Sequence, residues 1–140
     1  MAAIELAPGA EDNGLALMLA TLISQNVADH PERARDLEGL RGRVVIVAAD
    51  AGVALTLEGG RRRLRVHDGV VGLPDLTIRA DADVITDLSR MEAGPLGLPD
   101  PRGEVTRSIA RAVREGRLRI HGLPLALPLL ARLGHLLAIG

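Results

Sequence analysis

Gly116-Arg-Leu-Arg-Ile-His-Gly122 runs directly into Leu123-Pro-Leu-Ala-Leu-Pro-Leu-Leu-Ala-Arg-Leu-Gly-His-Leu-Leu137. The first seven residues read as a short strand held between two glycines. Side chains alternate across a strand, so Leu118 and Ile120 share one face and Arg117, Arg119 and His121 the other. The remainder reads as a leucine-loaded helix. A start near Pro124 places Pro128 in or just past the first turn, where proline is tolerated with mild distortion. The inward stripe is then Ala126, Leu129, Leu130, Leu133 and Leu137, with Leu125, Leu127, Leu136 and Ile139 left over. Two readings of that surplus stand side by side: a core helix with a few exposed leucines, or a wall that lines or closes an apolar cavity. As a membrane span the run fails, because Pro124, Pro128, Arg132, Gly134 and His135 interrupt it.

Upstream, Glu104 to Glu115 carries Val105, Ile109, Ala112 and Val113 at helical spacing, with Arg107, Arg111 and Arg114 outward and Gly116 as the C-terminal cap. Gly94 to Gly103 is a Pro/Gly-rich loop. Asp81 can cap a preceding helix with Val84, Ile85, Leu88 and Met91 on one face. Further back the period drops to two. Leu76, Ile78 and Ala80 alternate with polar residues, as do Leu64 and Val66, and Val53, Leu55 and Leu57 alternate with small or polar ones. Asp50-Ala51-Gly52, Gly59-Gly60 and Asp68-Gly69 supply the turns. Arg43 to Asp50 is apolar on both faces, as a central strand would be. Leu15 to Asp29 is helical, with Leu15, Met18, Leu19, Leu22, Ile23 and Val27 inward and Asn13 as the candidate cap. Met1 to Asn13 reads as a loose, flexible terminus. The sum predicts an α+β fold with a five-stranded, mainly antiparallel sheet. Helices cover one face; the other is wet and carries Arg63, Arg65, Arg79, Arg117 and Arg119.

The 140 residues suit a single domain, placed at residues 14–140. A net charge of −1 gives no overall attraction to nucleic acid. Phe, Trp and Tyr are absent, which removes the stacking surfaces that single-stranded nucleic-acid modules use. Nucleic acid is therefore not an expected partner. The absence of cysteine excludes disulfides, thiolate metal sites and cysteine nucleophiles. No secretory signal is visible, and Leu15 to Ile23 is too short to span a bilayer, so a soluble, cytoplasmic protein is expected.

Catalytic chemistry finds little to work with. Ser24, Ser89 and Ser108 lie in predicted helices without a nucleophile-elbow signature. His30, His67, His121 and His135 lack metal-ligand spacing, and no metal or cofactor is expected. Glu58-Gly59-Gly60-Arg61 has neither the lysine nor the following helix of a phosphate loop. The densest basic patch is Arg61-Arg62-Arg63. It reads as a solvated hairpin tip, with transient contact to an anionic membrane as the functional alternative.

The order of these pieces resembles the sterol carrier protein 2 domain over roughly Leu15 to Leu137. The resemblance rests on Leu76-Thr77-Ile78 followed by Asp81, Asp83 and Leu88 at a strand-to-helix junction. It rests also on Gly116, Leu118, Ile120 and Gly122 around the strand that precedes the leucine-rich helix. It implies an apolar tunnel between sheet and helices, where family members hold sterols, fatty acids, acyl-CoA, phospholipids or isoprenoid quinone intermediates. It implies a carrier or accessory module, not a catalyst. Two departures stand out: family cavities usually contain phenylalanine, and Ala93 to Arg102 replaces a tighter connection. On this reading Leu55, Leu57, Leu64, Val66, Leu76, Ile78, Leu118 and Ile120 form the sheet wall of the ligand site. Val84, Leu88, Ile109, Val113, Leu129, Leu130 and Leu133 form its helical wall. The expected function is non-catalytic, intracellular carriage of an apolar ligand such as a fatty acyl chain, sterol or isoprenoid lipid. The alternative is a membrane-surface or accessory module of a lipid or quinone biosynthetic enzyme, with a packed interior. A homodimer contact through the surplus leucines stays open.

Overall fold

The computed structural model describes residues 3–60, 63–88 and 104–122, with Leu125, Pro128, Leu129, Arg132, Leu133 and Leu136 of the tail; the side chains of residues 3, 86–88, 104–106 and 109 fall outside that description. Strand β1 (Ala3–Leu6) and a 3-10 turn (Ala10–Asp12) lead into helix α1 (Gly14–Asp29). A second 3-10 turn (Pro31–Arg33) and helix α2 (Ala34–Gly39) follow. The strands β2 (Gly42–Ala48), β3 (Val53–Gly60), β4 (Arg63–Asp68) and β5 (Leu76–Ala80) precede helices α3 (Ala82–Leu88) and α4 (Glu104–Arg114), and β6 (Leu118–His121) comes last. In the tail, Pro128, Leu129, Arg132, Leu133 and Leu136 are helical.

The sheet has six strands in the order β1-β4-β3-β2-β5-β6. Three pairings are antiparallel (β2–β3, β3–β4 and β5–β6), and two are parallel (β1–β4 and β2–β5). The expected five-stranded, mainly antiparallel sheet is thus corrected to a mixed sheet of six. Both differences have a local cause. Residues 3–6, expected to be loose, pair with Arg63–Val66 along the sheet edge. Asp68-Gly69, read as a hairpin turn, instead starts a crossover to the far side of β2. Gly69 N–H donates to the Ala54 carbonyl and Asp75 N–H to the Arg43 carbonyl, so the segment between runs back across the outer face of β3 and β2. On that face Val45 and Thr56, opposed in register, are both buried. The Thr56 hydroxyl donates to the Gly69 carbonyl (2.7 Å) and accepts from Val71 N–H (3.0 Å), which lets a threonine be fully buried on the nominally wet side.

The inner face is aliphatic row by row. Val66, Leu57, Val44 and Leu76 stand in register across four strands. The next row is Leu55, Ile46, Ile78 and Ile120, and the third is Val53, Ala48, Ala80 and Leu118. Leu19 and Ile23 of α1, Leu37 of α2, Val84 and Ile85 of α3, Ala112 of α4, and Leu129, Leu133 and Leu136 of the tail join these rows in one apolar cluster. Gly59 sits in this cover because the backbone of Leu40 crosses it; a Cβ there would strike the Leu40 carbonyl. α1 presents Ala16, Leu19, Ala20 and Ile23 inward, while Met18, expected inward, is exposed. Its sequence is apolar most of the way round, so spacing alone did not choose the face. The two alanines did, by allowing close approach to the sheet.

Asn13 caps α1 as its position suggested, and does more. Its Oδ1 accepts from Ala16 N–H (3.0 Å), while its Nδ2 donates to the Ala54 carbonyl and to Asp68 Oδ1, both at 2.8 Å. One buried side chain therefore ties α1 to β3 and to the end of β4. Gly116 closes α4 with a φ of +75°. Gly116 N–H donates to the Val113 carbonyl and Arg117 N–H to the Ala112 carbonyl, the paired bonds of a Schellman motif. That turn reverses the chain into β6.

Candidate functional site

The sheet wall inferred from the sequence is assembled as a surface. Leu55, Leu57, Leu64, Val66, Leu76, Ile78 and Leu118 are buried on the helix-covered face, and Ile120 packs partly buried against them. From the helical wall, Val84, Leu129 and Leu133 join the same cluster. The side chains of Leu88, Ile109 and Leu130 lie outside the described residues. Val113 departs from its expected role: it is 50% exposed, while Ala112 beside it is buried. The charged residues of α4 fit either neighbour as the inward position, and the smaller side chain was taken. Leu136, counted among the surplus, is fully buried, whereas Leu125 of the same surplus is 94% exposed. Leu129, Leu133 and Leu136 give the helical spacing of the buried stripe.

Sequence reasoning missed Val44 and Ile46 as wall residues. β2 is apolar on both faces, so alternation could not rank them; the register with Leu57 and Leu55 does. It also missed Leu37 of α2 and Leu40 just after it, both buried in the cluster.

The tail is pinned over this wall by polar contacts at its rim. Asn26 Nδ2 of α1 donates to the Leu136 carbonyl (2.8 Å). Arg132 donates to the Arg35 carbonyl (3.4 Å) and lies 3.7 Å from Asp36. The side chains of the cluster are aliphatic, and among the described residues Asn13, Arg33 and Thr56 are the buried polar or charged ones. An aliphatic surface of this kind can discriminate only by shape and apolar area.

The outer face divides into two halves. Across β1, β4, β3 and β2 the register places Glu5, Arg65, Glu58 and Arg43 in one row of alternating charge. Arg43 bonds Glu58 through Nη2 (2.9 Å) and Nε (3.0 Å), and Glu5 holds Arg63 (3.2 Å) and Arg65 (3.7 Å). His67 Nε2 adds a 3.4 Å contact to Glu58. Burial acts to raise the Glu58 carboxyl, but the His67 and Arg43 hydrogen bonds and charges outweigh it and hold it below its ordinary value of 4.5. Among the basic residues read as a membrane patch, Arg63 is engaged with Glu5, and Arg61 and Arg62 lie outside the described residues. A hollow of about 550 Å³ opens here, lined by Arg43, Glu58, Arg63, Arg65, Asp75 and the glycines between them. A second hollow, of about 520 Å³, lies over β5 and β6, lined chiefly by Arg79, Asp81, Arg117, Arg119 and His121. Both are polar and sit on the side of the sheet away from the apolar wall. Ser24 and Ser108 are exposed on their helices.

No family model matches the sequence, and no curated protein does. Among solved structures, the chain is similar to one described as a UbiJ-SCP2 ubiquinone synthesis protein. The TM-score is 0.53 at 19% identity, over 86% of this chain and 96% of the other. It is similar also to a crystal structure of sterol carrier protein 2, with a TM-score of 0.51 at 14% identity, over 86% of this chain and 91% of the other. At such identities what is shared is the fold. Among the described residues no helix is long and apolar enough to cross a membrane.

Proposed function

Given a sterol carrier protein 2-like fold, we propose that the chain binds an apolar lipid, a fatty acyl chain, sterol or isoprenoid, between the inner face of the sheet and its helices, and carries it without chemical change. The observation that supports this most is the helix-covered inner face of the sheet, whose three rows in register from Val66 to Leu118 carry aliphatic side chains. Each buried methylene contributes about 0.8 kcal/mol, so a chain of roughly ten gives about 8 kcal/mol before the cost of association. Affinity then needs no fixed polar constellation. The wall residues are already buried, so the ligand enters by displacing part of the cover. In this reading the tail is the element for that role: Leu129, Leu133 and Leu136 cover the wall, and Asn26 and Arg132 hold the tail at its rim. In this proposal Leu88, Ile109 and Leu130 complete the wall, Val113 does not, and loading takes place in the cytoplasm. Contact with an anionic membrane would fall to Arg61, Arg62 and Arg63, and contact with a second copy to the exposed Leu125.

Likeness to a ubiquinone synthesis protein favours one second reading: an accessory module of a lipid or quinone biosynthetic enzyme that holds no ligand of its own. Titration with a fluorescent fatty acid separates the two. The carrier reading expects saturable binding that weakens in Leu57→Asn and Leu133→Asn variants that remain folded. Binding that never saturates, or that is indifferent to both changes, overturns it and leaves the accessory reading.

A further inference from the structure

The two halves of the outer face handle arginine differently. On β1, β4, β3 and β2, Arg43, Arg63 and Arg65 each have a carboxylate within 4.0 Å. On β5 and β6, Arg79 and Arg119 are directly opposed in the antiparallel register. Neither has a hydrogen-bond or ion-pair partner among the described residues. Directly opposed residues on one face have Cβ atoms roughly 5 Å apart, and like charges placed so destabilise a sheet. The register that sets them together is not negotiable: it is the one that points Ile78 and Ile120 inward as a pair. A neutral or acidic residue at either position would suit the fold better. The pair lines the hollow of about 520 Å³, with Arg117 and His121 beside it and Asp81 at its rim. Arg117 is engaged by Glu115 at 3.0 Å, which leaves Arg79 and Arg119 as the lining arginines with no carboxylate within 4.0 Å among the described residues, Asp81 at the rim included.

We propose that Arg79 and Arg119 form a binding site for a phosphate-type oxyanion, with His121 as an additional hydrogen-bond partner. Two guanidinium groups side by side present parallel N–H donors, the arrangement that suits a tetrahedral oxyanion. The bound anion supplies the charge that the sheet lacks on this half. The site does not rest on the lipid reading, because it lies on the opposite face from the apolar wall and has its own readout. The same chemistry is offered by a soluble phosphate compound and by a lipid headgroup at a membrane surface.

The test uses the full chain at constant ionic strength. Backbone amide spectra are titrated with inorganic phosphate, and flotation is measured with vesicles of phosphatidylcholine alone or with phosphatidylglycerol added. Saturable shifts confined to Thr77–Ala80 and Leu118–His121, without flotation, identify a soluble phosphate ligand. Flotation that needs phosphatidylglycerol identifies a headgroup. In either case the Arg79→Gln/Arg119→Gln variant weakens binding about tenfold or more, while Arg65→Gln, which removes a paired arginine, leaves it nearly unchanged. Removing the repulsion has its own signature: Arg119→Glu raises Tm in anion-free buffer by about 1–4 °C. No saturable response in either arm, or an equal loss in Arg65→Gln, overturns the proposal and reduces the patch to diffuse charge. A lower Tm for Arg119→Glu overturns the claim that the pair is strained.

Discussion

Asn13→Ala is the most informative single perturbation of this fold. The side chain is 7% exposed and makes three hydrogen bonds that no other residue can replace in place. Loss of an asparagine N-cap costs about 0.5–2 kcal/mol. The bonds to the Ala54 carbonyl and Asp68 add about 1 kcal/mol each. The expected loss is therefore about 2.5–4 kcal/mol, a large part of the roughly 5–15 kcal/mol available to a domain. With an unfolding entropy near 2.1 cal/mol/K per residue, it lowers Tm by about 9–14 °C. Chemical denaturation followed by circular dichroism measures it. Asn13→Ser is the internal control: it keeps the cap acceptor and loses the reach to β3 and β4, so it should recover about half the loss. A change below about 0.5 kcal/mol for Asn13→Ala, the level of an ordinary surface substitution, would refute the idea that this residue joins α1 to the sheet.

Three further outcomes follow from individual contacts. Glu58→Gln should flatten the acid limb of the stability curve: the carboxyl is depressed in the fold, so its contribution is complete above pH 4.5 and fades as pH falls toward the lower folded value. Urea midpoints from pH 6 to 3 should then fall less for the variant; parallel curves would count against the Arg43–Glu58–His67 group. Asn26→Ala should loosen the tail at Leu136, seen as faster amide exchange in the tail and faster uptake of fluorescent fatty acid; unchanged exchange and uptake would remove the rim contact from the loading route. Gly122→Ala should cost well over 1 kcal/mol, because φ is +112° and a Cβ would meet the Asp75 carbonyl. A near-neutral melting curve would mean β6 does not pass Asp75 so closely.

Much of this architecture was legible because the outer strands are half buried. Alternation at Leu64/Val66, Leu76/Ile78 and Leu118/Ile120 assigned their faces without any knowledge of neighbours, and the arginines of the wet face fell out of the same count. Legibility failed where the two faces of an element are chemically alike. β2 is apolar on both sides, α1 is apolar nearly all round, and Ala112 and Val113 differ only in size, so packing decided each. Topology failed for a different reason. An Asp-Gly pair marks a change of direction but not its destination, and Thr56, whose hydroxyl anchors the crossover from across the sheet, gives no local sign of that role. Residues 3–6, Ala-Ile-Glu-Leu, are too short a run before Pro8 and Gly9 to announce a strand; backbone pairing to an open edge needs no longer pattern.

The candidate site was legible as a surface, not as an occupied site. The residues of an aliphatic wall are the same whether they meet a ligand or one another, and likeness of fold at below 20% identity does not name what is bound. Native mass spectrometry of the protein purified without detergent tests this directly. The carrier account predicts a population heavier by the mass of one lipid, released on denaturation and depleted in Leu133→Asn. A single unliganded mass, unchanged after incubation with fatty acids and isoprenoid lipids, would contradict it.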